Sequence, residues 1–184
     1  MTAYPTTTVQ RSWHEHVFGT ELKSGKAWSM LFGRLALGFL FVWSAYQKIL
    51  TEMGGKLATG DFLTRSVSGP LAGFFNGLAG NLAVEYLLVY GELLIGISLI
   101  FGIFTRVGSV SGMLMMLLFT IALWPIANTA IENPIVDARV IYGVMMLGFF
   151  FARPGRFLGG DGIVRSLNFV KNRPTLKKIV SALG

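Results

Sequence analysis

Four apolar segments, each close to the length that crosses a lipid bilayer, constrain this chain more than any other feature. They cover residues 27–50, 82–104, 107–127 and 136–152, and the last is the shortest. A membrane-spanning helix takes roughly 17–25 residues. The mean hydropathy of +0.60 and the charged content of 14% agree with lipid as the solvent for much of the chain. The sequence therefore predicts an all-α integral membrane four-helix bundle at 27–153, between a polar N-terminal segment at 1–26 and a basic C-terminal segment at 154–184.

The positions of the basic residues predict how the chain lies in the membrane. Most of them flank the same ends of the apolar segments, whereas the loops on the other side hold chiefly Lys56 and Arg65. The positive-inside rule then places both termini in the cytoplasm. The residues on the predicted inner side are Arg11, Lys23, Lys26, Arg106, Arg153, Arg156, Arg165, Lys171, Arg173, Lys177 and Lys178.

The net charge of +7 fits this topology better than it fits nucleic-acid binding, because the charges follow the predicted ends of the spans. The C-terminal segment is basic and has apolar residues at roughly helical spacing. It predicts a cytoplasmic amphipathic segment lying on anionic lipid, with binding to a partner subunit as the alternative. The apolar positions are Ile163, Val164, Leu167 and Val170, beside Arg165 and Lys171.

The residue types in the chain limit its chemistry. There is no cysteine, which excludes thiolate ligation of an iron–sulfur cluster and a cysteine nucleophile. The two histidines, His14 and His16, lie in the N-terminal segment and by themselves make neither a metal site nor a buried bis-histidine haem site. No strand-linked glycine-rich motif indicates a dinucleotide site. Any redox path would use a bound quinone directly or the cofactor of a partner.

The segment between the first two apolar stretches has a regular glycine spacing. Gly69, Gly73 and Gly77 follow one another at intervals of four residues, which would align them on one face of a helix. The pattern fits a short helix packed closely against the bundle, and it fits a flexible glycine-rich loop equally well.

Charged residues inside the predicted spans are the strongest functional signal. Ionisable groups in a bilayer are costly and usually face a partner in the bundle interior. Arg34 and Lys48 lie on one stripe of the first span together with small residues, and Glu85 and Glu92 share a face of the second span. Because consecutive spans run antiparallel, we expect Glu92 to meet Arg34 and Glu85 to meet Lys48. Such pairs would either form part of a site or only lock the helices together.

Further polar and aromatic residues gather at the predicted outer level. Asp137 and Arg139 begin the fourth span and are expected to point to different sides. An apolar cavity with a few polar groups and aromatic walls suits a quinone, whose carbonyl oxygens accept hydrogen bonds and whose ring stacks. The aromatic and amide residues at this level are Trp43, Tyr46, Gln47, Tyr86, Tyr90, Trp124 and Tyr142.

Two runs of sequence resemble the DoxX/DoxD family of small four-helix membrane proteins. The first is RLALGFLF at 34–41, leading to Gln47 and Lys48, and the second is GELLIGISLIFGIFTR at 91–106. PGR at 154–156 and GDG at 160–162 resemble the closing turn of the family. The resemblance covers roughly residues 29–167 and implies a multi-pass protein of the cell membrane of a bacterium or an archaeon.

The resemblance also implies a function. The DoxD type is the small membrane subunit of thiosulfate:quinone oxidoreductase, which works with a second subunit, oxidises thiosulfate to tetrathionate and passes the electrons to quinone. We therefore expect a quinone-linked subunit with lipid and at least one other membrane-protein subunit as partners, and no nucleic acid. The alternatives are a non-catalytic structural or assembly subunit of a larger membrane complex and, less favoured, a small transporter. The candidate catalytic residues are Glu92, Arg34 and Lys48, and the candidate quinone-binding residues are Trp43, Glu85, Tyr90, Trp124, Asp137 and Arg139.

Overall fold

The computed structural model describes residues 25–124, 136–167, 170, 173, 175, 180 and 182–184. His14, His16, Lys171, Lys177 and Lys178 lie outside the described residues. The described part is helical, apart from one isolated bridge between Ser68 and Leu123. A π-helical turn covers Phe62–Ser66, and a 3-10 turn covers Pro154–Arg156. The helices are α1 Gly25–Met53, α2 Ala72–Asn76, α3 Leu82–Phe101, α4 Thr105–Ala122, α5 Ala138–Ala152 and α6 Gly160–Ser166.

Three of these helices, α1, α3 and α4, are long and apolar enough to cross a membrane. Helix α5 is equally apolar but has 15 residues, which is about 22 Å of helix against a hydrocarbon core of about 30 Å. The prediction of an all-helical membrane bundle is confirmed, while a fourth complete crossing stays a prediction.

Helices α1 and α3 pack against each other through small residues. Every third or fourth residue of α1 is buried, including Leu37, Phe41 and Ala45, and this period produces one continuous stripe. At the closest approach, a Cβ added to Gly38 would lie 3.1 Å from the main-chain oxygen of Gly96, and one added to Gly96 would lie 2.8 Å from that of Gly38. The predicted stripe of small residues is therefore the place where the two backbones meet.

The N-terminal end of α1 and the C-terminal end of α3 are not level. Gly38 lies against Gly96, so the residue of α1 that lies opposite the C-terminal end of α3 is near Arg34. Helix α1 begins at Gly25 and thus continues for several turns past the end of α3. Its first turns pack Ala27 and Leu31 against Phe157 in the chain that follows α5. This overhang decides which charged residues can meet.

The core lies between α1, α3, α4 and α5. Helix α4 packs mainly against α5, and α1 packs mainly against α3. Large apolar side chains on the outward faces are exposed, for example Leu87 and Phe151 at 72% each, as expected for surfaces that face lipid. The buried core residues are Leu37, Phe41, Ile95, Leu99, Met115, Met116, Met146 and Phe149.

The segment between α1 and α3 is folded onto the end of the bundle. Leu63 and Phe75 form a buried cluster with Ala122 at the end of α4. Gly69 has a φ of +86°, and a Cβ there would overlap the main-chain oxygen of Trp124, so this glycine permits the close approach. Gly73 has open space around its Cβ position. A short helix, α2, is present, but it contains only Gly73 of the three glycines, so the expected helix packed through a glycine stripe is wrong.

Candidate functional site

An ion pair between Lys48 and Glu92 joins α1 and α3. The Lys48 ammonium donates to Glu92 Oε1. The Glu92 residue is only 2% exposed, and its second oxygen, Oε2, is buried with no hydrogen-bond partner among the described residues. The Lys48 side chain is 25% exposed. The pair is therefore buried on the carboxylate side and open on the ammonium side.

A recess of about 450 Å³ opens onto Lys48. An ammonium group has three hydrogens to donate, and Glu92 uses one of them, so a ligand in the recess can reach the others. The exposed Trp43 indole stacks with Phe39 at a centroid distance of 6.2 Å and contributes a flat apolar wall. The residues that line the recess are Leu40, Trp43, Ser44, Gln47, Lys48, Thr51 and Ala58.

Glu85 holds the chain that follows α1, and it does not meet Lys48. Its carboxylate accepts hydrogen bonds from the Thr59 amide at 3.0 and 3.2 Å and from the Thr59 hydroxyl. The Glu52 carboxyl lies within hydrogen-bonding range of the same group. The predicted pairing of Glu85 with Lys48 is wrong because Lys48 is one helical turn short of Glu52, the residue that lies beside Glu85.

Asp137 and Arg139 contact each other at the start of α5. Asp137 accepts from the Arg139 amide at 3.0 Å, which caps the helix, and from Arg139 Nε at 2.7 Å. The Arg139 side chain holds the pKa of Asp137 below its usual value of 3.8, mainly through this hydrogen bond. The expectation that the two side chains point to different sides is wrong, because the capping geometry folds the long arginine back over the helix end.

Phe119 contacts both Lys48 and Arg139, so it connects the Lys48–Glu92 pair to the Asp137–Arg139 pair. The sequence does not predict this role. The Lys48 ammonium lies 5.7 Å from the centroid of its ring, within cation–π range. Its carbonyl oxygen accepts from Arg139 at 3.4 Å, and its ring packs on Phe62. In sequence Phe119 is one apolar residue in an apolar helix. Thr59 was also missed, because only the fold brings it to Glu85.

Arg34 lies level with the C-terminal end of α3, whereas Glu92 lies near the middle of that helix. Its guanidinium donates to the carbonyl oxygens of Pro154 and Leu158, each at 3.0 Å. The side chain fills the space left by Gly102, where a Cβ would overlap it. Ten residues of α3 separate Gly102 from Glu92, which is about 15 Å of helix. The predicted Arg34–Glu92 pair is wrong because α1 overhangs α3, so Arg34 lies level with the end of α3.

Asp161 lies close to Arg34 and caps the start of α4, although it is far from α4 in the sequence. Its carboxylate accepts from the amides of Phe104 at 2.7 Å and Thr105 at 3.1 Å, and from the Thr105 hydroxyl at 2.7 Å. Its own amide donates to Gly102 O at 2.8 Å. These bonds satisfy donors at the helix start that no local side chain reaches. We call Arg34, Gly102, Thr105 and Asp161 the Arg34 clasp.

The remaining aromatic candidates lie at the surface. Tyr90 is 45% exposed and packs beside Tyr86 on α3. Trp124 is 50% exposed, and its main-chain oxygen accepts from the Ser68 hydroxyl at 3.1 Å. Of the aromatic candidates, Trp43 is the one that lines the recess beside Lys48. No group of three or more histidine, aspartate or glutamate residues in the described ranges is placed to hold a metal ion.

The comparison with protein families matches residues 29–124, just over half of the chain, to the DoxX family. The chain belongs to the DoxX family. The match includes Arg34, Lys48, Glu85 and Glu92 but ends before Asp137. Searches of curated proteins and of solved structures gave no match.

The DoxX match and the geometry together divide the candidates into two groups. Lys48 and Glu92 form a polar contact that a ligand can approach, with Trp43 beside it. Arg34 is 1% exposed and is engaged with main-chain oxygens. A direct catalytic role for Arg34 stays a prediction, whereas its hydrogen bonds join α1 to the chain that follows α5.

Proposed function

We propose that this DoxX-family protein is the membrane subunit of a quinone-linked oxidoreductase, with Lys48 and Glu92 at a site for the quinone head group. The observation that supports this most is the half-open ion pair. A buried carboxylate retains one oxygen with no partner among the described residues, and its lysine faces a recess lined by Trp43 and Gln47.

The residues around the recess fit a quinone. Lys48 and the Gln47 amide are donors for a carbonyl oxygen, and the Trp43 indole offers a surface for the ring. The surrounding wall is largely apolar, as the rest of such a ligand requires. When bound, a quinone supplies a two-electron acceptor that also takes up two protons. Glu92, with one oxygen that no donor in the described part of the chain reaches, is placed to hold or pass a proton next to Lys48.

The electron donor proposed for the complex is thiosulfate, as the DoxD-like resemblance implies. Two thiosulfate ions join through a sulfur–sulfur bond to form tetrathionate and release two electrons, which with two protons convert quinone to quinol. The chain has no cysteine or haem ligand set to carry those electrons, so the proposal includes a second subunit that receives them from thiosulfate.

Quenching of tryptophan fluorescence tests the quinone site directly. A short-chain quinone analogue should quench Trp43, and Trp43→Phe should lose this component. Trp28→Phe is the matched control, because Trp28 lies on the same helix 15 residues away and outside the recess. Equal quenching in the two variants would place the quinone elsewhere and contradict the proposal.

The activity test uses the native complex. Membranes are solubilised gently, the chain is purified with any subunit that stays bound, and thiosulfate-dependent reduction of a quinone analogue is followed. Glu92→Gln, which keeps a hydrogen-bond acceptor for Lys48 but removes the charge, should reduce the rate strongly. Quinone reduction that stays at the level of the Glu92→Gln protein would count against the proposal.

A second candidate is a non-catalytic subunit that assembles or stabilises a larger membrane complex. The Arg34 clasp favours it, because the hydrogen bonds of this buried arginine in the described part of the chain go to main-chain oxygens. Mass analysis of the gently extracted complex distinguishes the two. A stoichiometric assembly whose activity survives substitution of Lys48 and Glu92 would support the structural role.

A further inference from the structure

Four arginines gather on the face of the bundle that carries the Arg34 clasp. Arg106 lies in the first turn of α4, Arg153 and Arg156 follow α5, and Arg165 lies on α6. All four are partly buried. We call them the arginine face. A positive-inside signal requires only that such residues lie on one side, and exposed side chains in water would meet that requirement.

The Arg106 and Arg156 side chains are held by an aromatic ring and by main-chain oxygens. The Arg106 guanidinium lies 4.4 Å from the centroid of the Phe150 ring and donates to Ala182 O at 3.2 Å. Arg156 donates to the main-chain oxygen of Gly184 at 3.4 Å. The Nε atoms of both Arg106 and Arg156 are buried without a hydrogen-bond partner in the described part of the chain. Each of these two side chains therefore keeps an N–H group that can donate to a ligand, in a partly buried position.

No aspartate or glutamate in the described ranges forms an ion pair with these arginines. The ion pairs found there involve Lys48, Arg65 and Arg139. Asp161 is near, but its two oxygens already accept from Phe104 and Thr105. Burial, together with the charges of Arg165 and Arg153, lowers the pKa of Arg156 to about 10, while the charge of Asp161 acts in the opposite direction. An anion from outside the chain would relieve this repulsion.

The rim of the arginine face is apolar. Phe104 is 50% exposed, Phe151 72%, Ile163 52% and Leu167 50%. Large exposed apolar side chains beside arginines mark the level where acyl chains give way to head groups. An anion that reaches the arginines at this level is therefore at the depth of the lipid phosphates.

We propose that the arginine face binds the phosphodiester head group of an anionic phospholipid, with the acyl chains lying against the apolar rim. The planar guanidinium groups match phosphate oxygens in two-point hydrogen bonds. Basic pockets at the ends of spanning helices are suited to anionic head groups. Inorganic phosphate shares the oxygen chemistry but does not use the apolar rim.

Native mass spectrometry of the purified full chain in a neutral detergent measures the binding. Phosphatidylglycerol, phosphatidylcholine and inorganic phosphate are titrated separately. Phosphatidylglycerol should bind in preference to phosphatidylcholine, and Arg165→Gln should weaken its binding about fivefold, the effect of one basic residue at an anionic membrane surface. Arg165→Lys, which keeps the charge but not the two-point hydrogen bond, should weaken the binding less than Arg165→Gln does. Arg65→Gln is the matched control, because Arg65 is 79% exposed and pairs with Asp61.

Three results would overturn the proposal. Equal binding of the two lipids would show that the charge of the head group is not recognised. Equal binding by Arg165→Gln and Arg65→Gln would show that the arginine face is not the site. Displacement of phosphatidylglycerol by inorganic phosphate at equal concentration would assign the site to a soluble anion. A melting curve for each variant confirms the fold, and Arg153→Gln repeats the test at a second position.

Discussion

Lys48 and Glu92 lie opposite each other across the α1–α3 interface, and the lysine ammonium donates to Glu92 Oε1. This ion pair is the salt bridge between α1 and α3 in the described part of the chain. It forms on the same helix faces that bring Gly38 against Gly96. The close backbone packing therefore fixes the register in which the ion pair forms.

Removing one partner of this pair should destabilise the protein more than removing both. Lys48→Met leaves the Glu92 carboxylate buried without a counter-charge, and we expect a loss of about 3 kcal/mol in the free energy of unfolding. Glu92→Gln should cost less, since Lys48 is partly exposed. The double variant Lys48→Met with Glu92→Leu should recover much of the loss. Unfolding in mixed micelles measures all of these values.

The same double variant separates structure from function. If folding recovers and quinone reduction does not, the pair belongs to the site. Losses in the two single variants that simply add in the double variant would show that the residues do not interact.

The sequence predicted the helices well, because each depends on local hydropathy and capping. The predicted start of the second span at residue 82 and the predicted end of the fourth at residue 152 agree with α3 and α5. The third span was predicted to reach residue 127, whereas α4 ends at Ala122. There the chain pairs with Ser68 instead, and no local pattern reports a contact made with another part of the chain.

The charged residues were found from sequence, but their partners were not. Burial of Arg34, Glu85 and Glu92 follows from their place on apolar stripes. Their partners depend on the axial offset between α1 and α3, which Gly38 and Gly96 set by close packing. Depth counted from the predicted ends of the spans assumes that those ends are level, and they are not.

Arg34 and Glu92 should behave as independent positions. Arg34→Met leaves two carbonyl oxygens, of Pro154 and Leu158, without their donor, which we expect to cost about 2–4 kcal/mol. The positions are about 15 Å apart along α3, so the loss in a double variant with Glu92→Gln should equal the sum within about 0.5 kcal/mol. Unfolding free energies in mixed micelles test this, and a coupling well above that value would contradict the clasp geometry.

Asp161 should stabilise the start of α4. Asp161→Ala removes three hydrogen bonds to Phe104 and Thr105 and leaves their donors unpaired, for an expected loss of about 2–3 kcal/mol. Amide hydrogen exchange in the first turn of α4 should rise together with this loss. Asp61→Ala is the control, because Asp61 is 78% exposed in its pair with Arg65 and such pairs contribute about 1 kcal/mol or less. Unchanged exchange in Asp161→Ala would exclude the capping role.

The Asp137–Arg139 contact should make stability depend on pH in acid. The native pKa of Asp137 is held below 3.8, mainly by its hydrogen bond to the Arg139 side chain. The unfolded chain therefore binds a proton there first as the pH falls. The contribution is complete above the unfolded pKa and is lost as the pH falls through the lowered native value. Unfolding curves below about pH 4 should show a smaller decline for Asp137→Asn and for Arg139→Gln than for the parent protein.

Labelling of lysines tests the predicted orientation. Lys26 lies in the first turn of α1, and Lys56 follows its last residue, Met53; both are exposed. The 29 residues of α1 span about 43 Å, more than the hydrocarbon core of about 30 Å. The two lysines must therefore lie on opposite sides of the membrane.

With both termini in the cytoplasm, an impermeant amine reagent added to intact cells should label Lys56 and spare Lys26, Lys177 and Lys178, and permeabilised cells should label all four. Labelling of Lys26 without Lys56 in intact cells would reverse the orientation, and the recess beside Lys48 would then face the cytoplasm.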